Sequence, residues 1–594
     1  MQAGRQAGIY IKRRQRQKAG LNEWLQRMLL LFSLLAAAVM LVFPLAALFV
    51  QAFFDSEGIF IGLLNFFRYF QSDILIQSLQ NTFFVSGVTT VLSVSAAFVY
   101  AFAVVRSNVY GKGFFRYSAM LPLFAPTMMH GIALIYLFGN QGLITTGFFG
   151  AFPGVKIDLY GPAGIIMAET IYTFPQAFLI LMVALSGADQ RLYEAADSMG
   201  AGKIKTFFAV TLPSVKYGLI SSIFVVFTLS FTDYGAPKVV GGQYNVLATD
   251  VYKQVIGQQN MGMGAAVGMI LMLPAILAFA VDQMAQRKQQ HGDGSKSVPF
   301  RVKPNAIRDK LLFLYCFIIS FAVIALLLAV LLAASVKNWP YNMTFSMEHF
   351  VFDSFTGDGL TAYKNSLIAA SLTALFGTIF TFGFAYLIEK FRGMMGLRKT
   401  GTFLSIIPLA VPGLVIGLGY IFFFSKQRFT VAGFSVENPL HFLYGTIAIV
   451  VIANIVHFYS VSFITATTAL KKLDKEFELV SESMGIPFYQ TFLKVTVPMC
   501  LPAILEVAMY FFVNSMVTVS AVIFLYSPEF KLAAVSIVNM DDAGNVASAA
   551  AMSILIVGTN ILVRAAYEMA VCWLKKRRSV REEFLNEEHT GINS

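Results

Sequence analysis

The stretch Glu194–Pro213 reads EAADSMGAGKIKTFFAVTLP, and a second stretch, Leu479–Pro498, reads LVSESMGIPFYQTFLKVTVP. Aligned on their glycines, both contain Ser-Met-Gly, with the glycine six residues after the first position and a proline thirteen residues after the glycine. A short helix former over Tyr193–Met199 stops at Gly200, because glycine takes the left-handed C-cap conformation without steric cost. An amphipathic segment, Lys203–Thr211, comes next, and Pro213 opens the next element, where its missing N–H costs little. The expected product is a rigid helix–turn–helix lying along the cytoplasmic side of a membrane, with a helix face shaped to enter a groove on another protein. One such loop alone leaves open the reading of a solvated connector with a glycine stop. Two copies, each in the same place in its half of the chain, argue against that reading.

Outside the two loops, long apolar runs dominate. Of 594 residues, 57% are hydrophobic and only 13% charged, where average soluble domains hold roughly 45–50% and about 25%. So little charge cannot coat a soluble surface of this size, which excludes a soluble enzyme and a disordered chain. The 58 Phe against 3 Trp suit a lipid-facing surface. A bilayer core about 30 Å thick takes roughly 20 apolar residues per helix. Runs near 27–51, 78–105, 117–139, 162–187, 215–235 and 263–283, then 311–335, 365–389, 402–424, 443–468, 500–524 and 548–573, supply twelve candidates. The expected fold class is an all-α polytopic membrane protein.

The formal net charge of +12 raises the question of nucleic acid, and its placement answers it. With both termini on the cytoplasmic side, the segments on that side hold 34 of the 44 Lys and Arg residues, and the opposite side holds nine. That asymmetry is the positive-inside pattern with an even number of spans. Basic patches interleaved with aromatics on a soluble face, which nucleic-acid binding would need, are not found. Residues 1–26, with Lys12, Arg13, Arg14, Arg16 and Lys18, precede an apolar run too long for a signal h-region, so the first helix is expected to be retained. Cys316, Cys500 and Cys572 lie in or beside apolar runs without metal spacing and read as small buried hydrophobes.

The chain is also a duplication. Asn81 and Asn365 stand 284 residues apart at the starts of equivalent second spans, Leu121–Pro126 (LPLFAP) matches Ile407–Pro412 (IPLAVP) at 286, and the two SMG triplets lie 285 apart. A near-constant offset of this kind marks internal repetition. With six spans per unit the copies share one orientation, unlike the inverted repeats of many secondary transporters. The expected organisation is a first repeat over 1–285, a polar and basic cytoplasmic linker over 286–310, and a second repeat over 311–594.

The duplicated loop resembles the EAA loop of permease subunits in binding-protein-dependent ABC importers. That resemblance implies about twelve transmembrane helices as two parallel six-helix repeats, in a bacterial inner membrane, with both termini cytoplasmic. It implies docking on two copies of a separate ATP-binding subunit, which holds the ATP and magnesium, and a periplasmic substrate-binding protein as the other partner. Carried onto this sequence, the coupling residues are Glu194, Ala195, Ala196, Gly200 and Pro213 in the first loop, and Glu478, Gly485 and Pro498 in the second. The second loop departs from the pattern, with Leu479 at the expected glutamate and the acid one place earlier at Glu478. The stretches 239–266 and 519–553 resemble those of fused permeases for 2-aminoethylphosphonate, which makes that phosphonate the expected cargo. Ferric-iron permeases share the fused two-repeat layout and give the alternative cargo, with other small solutes such as polyamines behind them.

Ionisable residues within spans are costly and mark pathways by default. Glu169, its repeat partner Asn454, His457 one turn further on, Asp233 near the outer end of the fifth span, and His130 beside the proline-rich third span are the candidate translocation residues. Their bland alternative is interhelical hydrogen bonding. Glu506, Glu389 and Glu568 lie nearer the cytoplasmic ends. No Walker A loop, H-E-x-x-H, G-x-S-x-G or Cys/His cluster occurs, so no catalytic residue, cofactor or metal is expected in this chain. An ion-coupled carrier would show acids at mid-membrane and no paired loops, and a membrane enzyme would cluster His, Asp or Cys at one interface.

Overall fold

Among the described residues, ten helices are long and apolar enough to cross a bilayer, and two bent pairs bring the number to twelve if each pair is one crossing. The computed structural model describes residues 20–591 apart from 56–58, 293–297, 299, 303, 353–359, 392, 432–433, 475 and 528–529. The basic N-terminal stretch up to residue 19 lies outside the described residues. In the first half the order is α1 (Asn22–Gln51), α2 (Asp73–Arg106), the bent pair α3 (Lys112–Phe124) and α4 (Thr127–Phe138), α5 (Pro162–Ser186), the short α6 (Gln190–Ser198), α7 (Lys203–Thr232), the short α8 (Gly235–Val240) and α9 (Leu247–Tyr252), and α10 (Met261–Gly292). The second half repeats it with α11 (Ala306–Ser335), α12 (Thr361–Lys390), the bent pair α13 (Met395–Ala410) and α14 (Gly413–Phe424), α15 (Ile447–Lys471), the short α16 (Glu476–Ser483), α17 (Phe488–Val517), the short α18 (Ala533–Asp542) and α19 (Val546–Gly591). Helix α10 runs past residue 285 into the expected linker.

The helical architecture agrees with the sequence, with four differences. The third span of each half is not one kinked helix: α3 and α4 meet at 104°, and α13 and α14 at 110°. Pro126 and Pro412 cap the outer pieces, and a proline that cannot donate its N–H, after a 3₁₀ turn, ends the preceding helix outright. The fifth spans start at Lys203 and Phe488, about three turns before the expected 215 and 500. Two small antiparallel hairpins, β1 (Val336–Asn338) with β2 (Asn342–Phe345) and β3 (Arg428–Val431) with β4 (Phe434–Glu437), stand in loops of the second half. Cys572 is exposed, whereas Cys316 and Cys500 are buried as expected.

The first helix of each half packs on the other half. Helix α1 lies against α12, α13 and α14: the Tyr420 hydroxyl donates to the Met40 carbonyl at 2.8 Å, and the Phe43 and Phe423 rings lie 6.1 Å apart. A Cβ on Gly419 would stand 2.8 Å from the Pro44 carbonyl oxygen, so a glycine is what lets the two backbones approach. Reciprocally, Ser320 on α11 bonds Tyr100 and Ser118 of the first half at 2.8 and 2.7 Å, and Tyr315 donates to the Ala96 carbonyl at 3.0 Å. The two satellite cores record the exchange. One holds first-half residues plus Cys316, and the other second-half residues plus Leu30 and Leu34.

At the end of the bundle opposite the two loops, the stretches after α7 and α17 fold back into the protein. Leu247, Ala248 and Val251 are fully buried, as are Ala533 and Ile537. The equivalent asparagines of the second spans hold them: Asn81 donates to the Asn245 carbonyl at 2.9 Å, and Asn365 to the Lys531 carbonyl at 3.2 Å. The next residue of each, Thr82 or Ser366, accepts the first free N–H of α9 or α18 at 2.9 and 2.8 Å. Each pair satisfies backbone groups that would otherwise be orphaned in an apolar core.

Candidate functional site

In the first loop, Asp189 caps α6 by accepting the Arg191 N–H at 3.1 Å. The helix ends at Gly200, whose φ is +71°, with the Ala201 N–H on the Ala196 carbonyl and the Gly200 N–H on the Asp197 carbonyl, both at 3.0 Å. In the second loop Gly485 has φ +69°, with Ile486 on Ser481 at 2.9 Å and Gly485 on Glu482 at 3.1 Å. These are two Schellman stops built the same way. Past each stop there is no separate amphipathic limb, contrary to expectation. The chain enters α7 or α17 directly, through a π-helical turn at Phe207–Thr211 or Phe492–Thr496. Pro213 and Pro498 therefore sit inside continuous 30-residue helices rather than at their starts. The Leu212 and Val497 N–H groups reach back five residues, to the Phe207 and Phe492 carbonyls, and this wider turn opens the space that a proline ring would otherwise clash with.

The first loop exposes Glu194 and Ala195 and half-buries Ala196; Glu194 accepts from Gln190 Nε2 at 3.1 Å. Around them stand apolar side chains without cover from this chain, Met199 at 85% exposure and Ile204 at 78%, with Leu192 and Phe208. The second loop presents Phe477, Leu479, Val480, Met484 and Leu493 in the same way. Exposed apolar patches of this kind mark protein contact surfaces. Leu479 thus takes the exposed position of Glu194. Glu478 turns inward instead and pairs with Lys390 at 3.2 Å.

Lys390 ends α12 as Arg106 ends α2, so the second half shows what Glu478 replaces. In the first half the equivalent position is Tyr193, and the Arg106 guanidinium lies 5.1 Å over its ring and 4.0 Å over that of Phe300, while donating to the Leu185 carbonyl at 2.7 Å. Phe300 comes from the stretch joining the halves. That stretch also straps the first loop: Gln190 N–H donates to the Val298 carbonyl at 2.9 Å, Val298 N–H to Asp189 at 3.2 Å, and Arg301 N–H to the Gln190 side chain at 3.0 Å. One loop is therefore clamped by a cation over two rings, the other by an ion pair. Arg106, Tyr193, Phe300 and Lys390 were not among the residues singled out from the sequence, although the 284–285 offset pairs the cations with one another.

Between the loops and the opposite end lie the intramembrane candidates. Glu169, fully buried on α5, faces the carboxyl group of Asp233, which comes directly after α7 and accepts the Ala236 N–H at 2.9 Å. Thr127, the first residue after the break in the third span, also reaches Asp233. His130 stands one turn further along α4, its ring 6.3 Å from Tyr172, and Tyr172 is in electrostatic reach of Glu169, Asp233 and, from the second half, Tyr510. The structure thus gathers Glu169, Asp233 and His130 into one site. Asn454 and His457 belong to its second-half counterpart: Asn454 donates to Ser515 at 2.6 Å, and His457 packs on Phe458 and lines the break at Gly413. Tyr510, 6.1 Å from Phe458, joins the two groups. Tyr172 and Tyr510 were not legible in the sequence, because a tyrosine in an apolar span looks like core. Of the acids expected near the cytoplasmic ends, Glu389 pairs with Lys471 at 3.5 Å, Glu568 pairs with Arg564, and Glu506 lies beside Tyr567. Among the described residues no group of three or more His, Cys, Asp and Glu is placed to hold a metal ion.

The family of the binding-protein-dependent transport system inner membrane component matches residues 89–291 and 393–575, more than half of the chain and including both loops. The chain is 28% identical, over 87% of its length and 74% of the other's, to the ferric transport system permease protein FbpB of Actinobacillus pleuropneumoniae. It is 26% identical, over 83% and 76%, to a putative ferric transport system permease protein of Haemophilus influenzae. A spermidine/putrescine transport system permease homolog of Mycoplasma pneumoniae is 29% identical, over 34% of this chain and 65% of that protein.

Proposed function

Because this chain belongs to the family of binding-protein-dependent transport system inner membrane components, we propose that it passes ferric iron from a docked receptor to the cytoplasm by alternating access. It is a multi-pass permease subunit of an ABC importer in a bacterial inner membrane, and the ATPase of such a system is a separate subunit. Two copies of that subunit would dock on the two apolar loops, with both termini of the permease on the same, cytoplasmic side. The observation that carries the coupling is the duplicated glycine-stopped helix followed, a few residues on, by a span that starts within the loop and runs unbroken through α7 or α17. A 30-residue helix spans about 45 Å at 1.5 Å per residue. A displacement passed to the loop end of either span, at Lys203 or Phe488, is therefore delivered along one helix to the far end, where Asp233 follows α7 and meets Glu169.

The cargo reading moves from the phosphonate expected from the outer stretches to ferric iron, for two reasons. The relatives matched over most of their length are ferric transport permeases. The paired carboxyl groups of Glu169 and Asp233 are also hard oxygen donors, which suit a ferric ion rather than a phosphonate. Uptake of labelled ferric iron and of labelled 2-aminoethylphosphonate, compared in cells with and without the gene, tests this reading. Gene-dependent iron uptake is the expected result. Phosphonate uptake without iron uptake would restore the other cargo.

A further inference from the structure

Apart from the Glu169–Asp233 pair, oxygen-bearing side chains from both halves meet at the end of the bundle opposite the coupling loops. The first half supplies Tyr234 and Tyr252, with rings 5.1 Å apart; the second supplies Tyr526, Asp541 and Asp542. Tyr252 packs 6.3 Å from Phe524, two residues before Tyr526. Tyr234 is in electrostatic reach of Tyr252, Asp541, Asp542 and Tyr526, and Tyr252 of Tyr526 and Asp542.

Three features set this group apart from ordinary core packing. Tyr234 is fully buried, yet among the described residues its hydroxyl has no hydrogen-bond partner, a costly state for a polar group. Asp541 and Asp542 are consecutive acids in the last turn of α18, where the free carbonyl ends of the helix already carry negative potential. Burial, with Asp542 adding to it and Lys238 opposing, pushes the Asp541 carboxyl up to about 6. Finally, the Lys238 ammonium sits 2.7 Å from Asp542 and 5.9 Å over the Tyr252 ring. A cation held on a tether thus sits between the Asp542 carboxylate and the Tyr252 ring, at the seam between the halves, where Asp542 and Tyr526 are exposed.

We propose that Tyr234, Tyr252, Tyr526, Asp541 and Asp542 form an acceptor site for a small trivalent cation of the ferric class, in which Lys238 holds the place of the ion until it arrives. This rests on the ferric reading of the cargo. Anionic oxygens with no thiolate or thioether among them suit a hard cation. One phenolate, formed at the exposed Tyr526 with its proton leaving to solvent, joins the Asp541 and Asp542 carboxylates to balance the three charges of the ion, while Tyr234 and Tyr252 line it as neutral phenols and the Lys238 ammonium swings outward into water. Tyr234 follows Asp233 in the chain, so the backbone between α7 and α8 links the site to the Glu169–Asp233 pair.

The test uses the permease purified with its ATPases in lipid nanodiscs and titrated with ferric citrate, reading the visible phenolate-to-iron charge-transfer band. The wild type is expected to develop the band. Tyr252→Phe combined with Asp542→Asn should lose at least tenfold in apparent affinity, Tyr526→Phe alone should lose the band, and Lys238→Met should gain several-fold in affinity. Co-purification of the ATPases reports that each variant is folded. No band in the wild type, or a band unmoved by these changes, overturns the site. Ferric uptake by receptor-supplied proteoliposomes, run in parallel, judges the cargo separately. Uptake without the band removes the site and keeps the cargo, whereas a band without uptake keeps the site and removes the cargo.

Discussion

The Lys390 side chain is 6% exposed and that of Glu478 18%, so the pair is held out of water, with the Lys390 ammonium also donating to the Leu473 carbonyl at 3.2 Å. Removing one partner of such a pair leaves a charge without compensation, while replacing both by apolar groups is often close to neutral. Lys390→Met alone is accordingly expected to destabilise the protein by roughly 1–3 kcal/mol. The double change Lys390→Met with Glu478→Leu should recover most of that loss. Thermal melting of the three proteins in the same nanodiscs checks the order, and a double variant as unstable as the single one would show that the pair does not hold the loop. Compared as loops alone, the two stretches make Glu478 look like a coupling acid displaced by one place. Extending the same register to the ends of the second spans sets Lys390 against Arg106 and Glu478 against Tyr193, so this part of the site was legible once the comparison reached beyond the motif.

At the scale of the element, the part of each loop after its glycine stop and the span behind it are one helix. The glycine stops were readable in the sequence because a left-handed C-cap has a strong residue preference. The joint was not, because a proline in a helical pattern ordinarily marks a boundary. Here a π turn precedes each proline and removes the clash, so the helix starts about three turns early. Replacing both Pro213 and Pro498 by Ala restores the missing donors and lets the turns relax to α geometry. Taking the extra residue out of each turn rotates the loop by roughly 100° relative to its span. The expected outcome is a complex that still binds and hydrolyses ATP but moves several-fold less solute per ATP. The ratio of the two rates in proteoliposomes measures it, and a ratio equal to the wild type would mean that the π turns do not set the coupling geometry. The bent third spans show the same limit. LPLFAP and IPLAVP announce an interruption, but whether it is a kink or a break above 100° depends on what the outer piece packs against.

At the scale of the whole molecule, hydropathy and the positive-inside count lead one to expect twelve crossings and an even parity, because both depend on the bilayer alone, and the described residues supply ten spanning helices, or twelve with each bent pair as one crossing. They are silent on which helix meets which, since lipid is as apolar as a neighbouring helix and packing rests on small residues and buried hydrogen bonds. The exchange of first helices belongs to this second kind of information. It hangs on Gly419 beneath Pro44, Tyr420 on Met40, and Ser320 between Tyr100 and Ser118. Each half thus lacks a wall that only the other can supply. Cutting the chain at residue 295, between α10 and α11, therefore makes a specific demand. Residues 1–295 expressed alone would leave the Tyr100 and Ser118 hydroxyls without Ser320. Residues 296–594 alone would expose the groove on α14 that α1 fills. Neither fragment is expected to survive in the membrane by itself, whereas co-expressed fragments should co-purify through a tag on one of them and bind the ATPase. Adding Gly419→Val to the second fragment should abolish that recovery, because a side chain there meets the Pro44 carbonyl. Stable, monodisperse fragments on their own would show that the exchanged helices decorate two self-sufficient halves rather than complete them.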